Sequence, residues 1–357
     1  MPPRAPTTSF RMPGRAALAR RAGLTPVSPE ALTLARRKAG KGFSYRDAKG
    51  GPIRDPALVQ RLAALAVPPA YEDVRYAADP RAHLQAVGRD AAGRLQYRYH
   101  PDWEKVREWV KAKRLARFAQ ALPRLRRRIG RDLASKEPTR AFALAAMVEL
   151  VALTSIRAGG EAYAKERGTR GASTLMKSNV TIEGERVILR FKAKGGQMQT
   201  REVCTARFAD VMSRLKALPG RRLFQYRGAD GDLHAVRAAD VNLYLKEISG
   251  APISLKDFRT LVASAGVLET LAATVPAGSA RQRRAQVLAA VREAAEELAN
   301  TPTVCRKSYV HSAVVTAFED GALERFSKIL RGCRSELKRA QVLADIVAQA
   351  RLEPAEV

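Results

Sequence analysis

The hydrophobic period of this chain changes at Trp103, and that change limits the folds open to it. Between Gly42 and His100 apolar residues alternate over short runs: Phe43-Ser44-Tyr45, Val74-Arg75-Tyr76, Leu84-Gln85-Ala86-Val87-Gly88 and Leu95-Gln96-Tyr97-Arg98-Tyr99. The last two flank a turn at Asp90–Gly93, the pattern of a hairpin. One helix interrupts them, Pro56–Leu65, with Asp55 as N-cap and Pro56 at its first position. After Trp103 the period becomes helical, through Lys111–Gln120, Arg124–Leu133 and Arg140–Thr154; the middle one carries Arg124, Arg126, Arg127, Arg128 and Arg131, a basic face expected in solvent or on phosphate. Strand-like runs return at Ser173–Met176, Val180–Ile182, Val187–Phe191 and Met198–Val203, broken by Glu183-Gly184 and Lys194-Gly195-Gly196. Helices resume at Ala206–Ala217, Ala239–Ile248, Leu255–Ala272, Ala280–Ala299 and Pro302–Phe318, and two more follow. The expected fold class is α+β. A small β-rich N-terminal lobe precedes a mainly α-helical lobe with a three-stranded antiparallel sheet. Residues 1–38 are expected as a basic mobile tail with a short helix near Pro29–Lys38, 39–105 as the β-rich domain, and 106–357 as the helical domain.

Charge narrows the function. Lys+Arg 64 against Asp+Glu 35 leaves +29, an excess that calls for a polyanion, most commonly nucleic acid. No run of about 20 apolar residues offers a membrane span, and the N-terminus lacks the apolar stretch of a signal peptide. Cys204, Cys305 and Cys333 are odd in number and far apart, as in a reducing compartment. His83, His100, His234 and His311 are scattered, with no CxxC, so no zinc pattern exists. Neither a phosphate-binding GxxxxGK[ST] loop nor a GxGxxG helix start is present.

A basic protein that acts on phosphodiesters without a metal needs guanidinium groups for the non-bridging oxygens, a nucleophile and a proton donor. The helical lobe supplies such groups in order. Arg157 follows an apolar helix in Ser155-Ile156-Arg157-Ala158-Gly159-Gly160, where the two glycines are read as ending it. Lys194 sits at a hairpin tip in Phe191-Lys192-Ala193-Lys194-Gly195-Gly196. Lys256 and Arg259 share a helix face in Ser254-Leu255-Lys256-Asp257-Phe258-Arg259-Thr260, where Ser254 and Asp257 form a capping-box variant. Tyr309 falls two turns into a helix capped by Thr301, with Pro302 at its first position. Taken singly, each has an ordinary reading: a surface charge, a solubilising turn, a half-buried ring, and for Cys305 and Cys333 a small apolar filler. Only their order and contexts together are specific.

In those contexts the sequence resembles the type IB DNA topoisomerases of the small bacterial, poxvirus-like branch, from about Ala39 to the C-terminus. The resemblance is carried by Val67-Pro68-Pro69-Ala70-Tyr71, by His83 through Asp90 with Gln96-Tyr97-Arg98-Tyr99-His100, and by Ile156-Arg157 through Tyr163 to Gly171-Ala172-Ser173-Thr174-Leu175. Lys256-Asp257-Phe258-Arg259-Thr260 and Thr301-Pro302 through Arg306-Lys307-Ser308-Tyr309 complete it. It implies that Tyr309 attacks DNA to form a 3′-phosphotyrosyl bond, that Arg157 and Arg259 hold the non-bridging oxygens, and that Lys194 protonates the departing 5′-oxygen. Lys256 matches an auxiliary lysine at the edge of the site. Asn300 stands where relatives often carry histidine; its local reading is a left-handed helix C-cap. Gln96, Tyr97, Tyr99 and Tyr163 match residues that touch DNA, and the β-rich domain matches half of a clamp around the duplex. The resemblance further implies supercoiled duplex DNA as partner, no cofactor, a monomer, and a cytoplasmic, nucleoid-associated place in the cell.

Two other readings stay open on the residues. A tyrosine recombinase shares the Arg, Lys, Arg, Tyr order, but usually carries histidine where this chain has Lys256, and a helical N-terminal lobe. An architectural DNA-binding protein would explain the charge, but has no need of Tyr309, Lys194 and both arginines.

Overall fold

A computed structural model describes residues 13–333 and 335–349. The chain divides into two compact units, one ending at Val110 and the other spanning Lys111–Ala350.

The first unit contains α1 (Arg15–Arg21), β1 (Leu34–Ala39), β2 (Gly42–Arg46), α2 (Pro56–Ala64), β3 (Glu72–Tyr76), β4 (Leu84–Arg89) and β5 (Leu95–Tyr99). The strands form one antiparallel sheet in the order β2-β1-β3-β4-β5. Asp55 caps α2 as its sequence implies, its carboxylate accepting from Ala57 N–H at 3.0 Å. Tyr45, Leu62, Val74, Tyr76 and Ala86 form one apolar cluster, and Leu32, Ala82, Leu84 and Val87 a second.

The stretch expected as a tail is folded from Arg15 onward, while residues 1–12 lie outside the described residues. Leu18, Ala19 and Leu24 pack on Trp103 and Val106. The helix expected near Pro29–Lys38 is a single 3-10 turn at Pro29–Ala31, followed by β1. Arg36 on β1 donates to the carbonyls of Val67, Pro68 and Tyr71 at 2.8–2.9 Å. Apolar residues are too sparse here to show a period. What orders the segment is burial of each one in turn, with two strand partners for the backbone of β1.

The second unit is mainly helical. It holds most of α3 (Pro101–Leu133), then α4 (Arg140–Thr154), α5 (Glu161–Arg167), β6 (Val180–Glu183), β7 (Arg186–Lys192), β8 (Met198–Cys204) and α6 (Ala206–Ala217). There follow β9 (Gln225–Arg227), β10 (Leu233–Ala235), α7 (Ala238–Ser249), α8 (Leu255–Ala272), α9 (Ala280–Glu297), α10 (Pro302–Ser308), α11 (Ser312–Glu319), α12 (Glu324–Leu330) and α13 (Glu336–Gln349). Strands β6, β7 and β8 form the expected three-stranded antiparallel sheet with β7 central. Helices α4 and α8 pack together and are buried along most of their length.

Four local expectations change. The two helices expected between Lys111 and Leu133 are one, with Pro123 inside it. Leu122, Leu125 and Ile129 are buried around it, and burying them at about 1.5–3 kcal/mol each outweighs the roughly 3 kcal/mol cost of an interior proline. Ser173–Met176 is no strand: Ala172–Thr174 is a 3-10 turn, with Thr174 Oγ1 accepting from Gly171 N–H at 2.9 Å. That local bond competes with sheet pairing. The arginine stripe of α3 does not all face outward. Arg126 lies between Glu149 and Glu336, at 2.6 Å from each; burial pulls its pKa down, but the two carboxylates outweigh that and the net shift is upward. Finally, the helix expected over Pro302–Phe318 breaks at Tyr309 into α10 and α11. Among the described residues no helix is long and apolar enough to cross a membrane.

Candidate active site

Arg157, Lys194, Lys256, Arg259, Asn300 and Tyr309 all belong to the second unit. Helix α4 ends not at a glycine but at Ser155, whose φ of 54° is left-handed. The glycines do a different job. Gly159 has φ +85°, and a Cβ on Gly171 would stand 2.5 Å from the Arg157 carbonyl oxygen. Only glycine lets the two backbones meet so closely. Ala172 N–H then donates to the Arg157 carbonyl, and Ser173 N–H to that of Ala158, both at 2.8 Å. The backbone of Arg157 is therefore held on both sides.

Arg259 rises from the first turns of α8. Asp257 anchors this end of the helix, accepting from Ser254 N–H at 2.8 Å and pairing with Arg114 at 2.8 Å. Arg259 is only 3% exposed. Burial pulls its guanidinium below the ordinary arginine range; Tyr309 beside it opposes that shift, while Arg157 and Arg201 reinforce it.

The end of α9 organises the arginines. Asn300 N–H donates to Ala295 C=O at 2.8 Å and Ala299 N–H to Glu296 C=O at 3.0 Å, while Ala299 takes φ 48°. This is a Schellman turn, and the left-handed residue is Ala299, one position before the Asn300 expected from sequence. The turn satisfies two of the orphan carbonyls of the helix end and leaves the next three outward. Each of those receives an arginine: Arg201 Nη2 donates to Glu297 C=O at 2.9 Å, Arg259 Nη2 to Leu298 C=O at 3.2 Å, and Arg157 Nη2 to Ala299 C=O at 3.2 Å. The negative end of the helix dipole favours three cations at this point. Arg157 Nη2 also donates to Asn300 Oδ1. Because a guanidinium only donates, the amide must turn its oxygen to Arg157 and its Nδ2 away.

A small cavity opens above this rack, lined by Arg157, Arg170, Lys194, Arg201 and Arg259 and by no carboxylate among the described residues. Lys194 reaches it from the β7–β8 hairpin tip, where Gly195 and Gly196 have φ of 90° and 82°. Arg259 Nε and Nη1, Arg201 Nε and Asn300 Nδ2 are buried with no hydrogen-bond partner among the described residues. Buried donors without acceptors are costly. Arg201 and Arg259 both line the cavity, so their free donors, with no carboxylate in the described lining, suit an anion with several acceptor oxygens.

Tyr309 lies beside Arg259, one of the cavity's arginines. It is the C-cap residue of α10, its N–H donating to Cys305 C=O at 2.9 Å. Its ring lies 5.1 Å from the Arg259 guanidinium and 5.7 Å from Lys256 Nζ. Buried Ser264 on α8 fixes its backbone, Oγ donating to Tyr309 C=O at 2.8 Å and accepting from His311 N–H at 3.2 Å. Cys305 is buried, which pushes its thiol up to about 11 and leaves it no rival nucleophile.

Of the residues expected to touch DNA, Tyr97 and Tyr99 stack at 6.1 Å on β5 of the first unit, and Tyr97 is exposed. Gln96 donates to Asp90 at 2.9 Å and so serves the β4–β5 turn. Tyr163 is exposed on α5 of the second unit. Sequence reasoning missed Arg170, Arg201 and Ser264. The alternation of Gln199, Arg201 and Val203 on one side of β8 was a signal for Arg201; nothing local marked Ser264.

The chain is similar to known proteins over most of its length. The family described as eukaryotic DNA topoisomerase I, catalytic core, matches residues 100–337. The family described as bacterial DNA topoisomerase IB, N-terminal domain, matches residues 42–90. The DNA topoisomerase 1B of Acanthamoeba polyphaga mimivirus is 30% identical over 292 residues, covering 80% of this chain and 87% of the viral protein.

Proposed function

The chain belongs to the type IB DNA topoisomerase family, and from that premise we propose that its cavity performs strand cleavage and religation with the groups named above. Tyr309 Oη attacks the scissile phosphorus, the 3′-phosphotyrosyl bond forms, and the bond to the 5′-oxygen breaks. The phenol gives up its proton to solvent water in this step, and the leaving 5′-oxygen takes one from Lys194. Arg157 and Arg259 hold the two non-bridging oxygens, and Asn300 Nδ2 adds a neutral donor. Religation runs the same path backwards, with Lys194 receiving the proton. One phosphodiester is exchanged for another, so no ATP is consumed. While the strand is open, the free end turns about the intact strand, which relaxes supercoils of either sign. Exposed Tyr97 and Tyr163 serve as contacts to the duplex.

The observation that carries this reading is the set of unpartnered buried donors on Arg259, Arg201 and Asn300 beside the Tyr309 ring. It also separates the reading from a purely architectural protein, which has no use for them. The test is plasmid relaxation in excess EDTA without nucleotide, with a detergent quench to trap covalent adduct. Relaxation of both signs and a protein–DNA band are expected, because cationic side chains already supply the charge neutralisation a metal would give. Complete loss of activity in EDTA, or no adduct, overturns the assignment.

Asn300 gives a second test. Asn300→Ala removes the free Nδ2 and the acceptor that steadies Arg157. Single-turnover cleavage is expected to fall by about 10²-fold, the usual cost of one oxyanion donor, with duplex affinity little changed. Asn300→His keeps a donor and is expected to recover much of the rate. An alanine variant as fast as the parent would leave Asn300 with a turn-forming role only.

A further inference from the structure

We propose that Arg201 is a third phosphate-binding arginine of this site, contacting a non-bridging oxygen of the scissile phosphodiester; the proposal rests on the reading of the cavity as the cleavage site. Arg201 lies on β8, paired with Leu189 of β7. Its Nη2 is held by Glu297 C=O at 2.9 Å, the carbonyl immediately before the ones that hold Arg259 and Arg157. It lines the same cavity as those two residues, and its Nε is buried there without a partner. The three guanidinium groups are thus mounted in one way, on consecutive carbonyls of one helix end, each with donors left over.

Charge explains why a third is kept. Arg201 and Arg157 both repel Arg259; the Glu297 carboxylate attracts Arg201 and offsets part of this, but it gives no acceptor to the buried Nε of Arg201 or to the Nε and Nη1 of Arg259, which an anion would satisfy. A phosphodiester carries one negative charge, and attack by the tyrosine oxygen builds a second in the pentacoordinate transition state. Two arginines balance the transition state in charge but leave its equatorial oxygens short of donors. Arg201 Nε supplies one from a fixed, water-poor position, where such donors act most strongly. A simpler role, tying β8 to α9, is met by the Nη2 bond to Glu297 C=O and the attraction to its carboxylate, and leaves the buried Nε without a purpose.

The test compares single-turnover cleavage by the parent, Arg201→Gln, Arg201→Lys and Arg201→Ala on a suicide duplex with either a phosphodiester or a neutral methylphosphonate at the scissile position. Arg201→Gln and Arg201→Ala are expected to cleave the phosphodiester about 10²-fold more slowly, with Arg201→Lys between them and duplex binding unchanged. On at least one methylphosphonate isomer the deficit is expected to largely disappear, because the oxygen that Arg201 serves is gone. The comparison is made within each variant, so a partly unfolded sample does not mimic it. Arg201→Gln cleaving the phosphodiester at the parent rate, or an equal deficit on the phosphodiester and on both isomers, would overturn the proposal. If the parent itself leaves the phosphodiester uncleaved, the assignment of the cavity fails instead.

Discussion

Tyr309→Phe is expected to bind duplex DNA as the parent does and to form no covalent adduct, with cleavage reduced on the order of 10⁴-fold or more. The substitution removes one oxygen atom and little else. The backbone of residue 309 is held by Ser264 and by its own bond to Cys305 C=O, neither of which involves the phenol. The hydroxyl's bond with Arg259 is lost, but the ring keeps its π-face contacts with Arg259 and Lys256. Binding and stability should therefore hold while chemistry stops. The measurements are a filter-binding titration beside a denaturing gel of quenched reactions. An adduct band from the phenylalanine variant would remove Tyr309 from the mechanism.

The second large effect has two opposite signs. Arg259→Met is expected to lower single-turnover cleavage by roughly 10²–10³-fold or more while raising the stability of the DNA-free protein by about 1–2 kcal/mol. Arg259 is a buried cation with two unpartnered nitrogens, repelled by two other arginines. Against that stand one bond to Leu298 C=O, a side-chain bond with Tyr309 and its contact with the Tyr309 ring. Methionine fills a similar volume without the charge. It leaves one carbonyl unsatisfied but relieves two orphaned donors and the repulsion, so the balance favours the variant. Urea unfolding without DNA supplies one number and suicide-substrate cleavage the other. A variant that is both less stable and inactive would show that Arg259 holds the fold together, and the account of the site as stored electrostatic strain would fail.

The same strain bears on how far the molecule could be read before its structure. Strands β2 to β8, the helices from α6 to α9 and the caps at Asp55 and Thr301 follow from signals that lie within a few residues of one another. Period, turn glycines and N-cap chemistry are local, and local physics is written in the sequence. Arg157, Lys194, Arg259 and Tyr309 could be picked out as candidates for the same reason, since each sits in a short context with its own capping or turn logic; their roles, and Asn300 altogether, came from the family resemblance. Other features depend on residues far apart. Leu18 and Leu24 are isolated apolar residues in a basic stretch until Trp103 and Val106 cover them. Pro123 reads as a break in a helix until the leucines beside it are buried. Tyr309 belongs to a continuous helix by period, and Ser264, 45 positions earlier, helps hold its backbone where that helix breaks.

Composition and local pattern thus determined that this chain is a basic, two-part α+β protein with a tyrosine and a set of cations in a fixed order. Tertiary structure decided which cations come together. Among 64 lysines and arginines, any one is by itself a solvated charge. Arg157, Arg201 and Arg259 differ from the rest because three successive carbonyls at the end of α9 face them. Those carbonyls are free only because a Schellman turn, closed by Ala299 in a left-handed conformation, spends the two before them. A hydrogen bond between a strand and a helix end 96 residues away leaves no trace in either segment, because its energy exists only once both are packed.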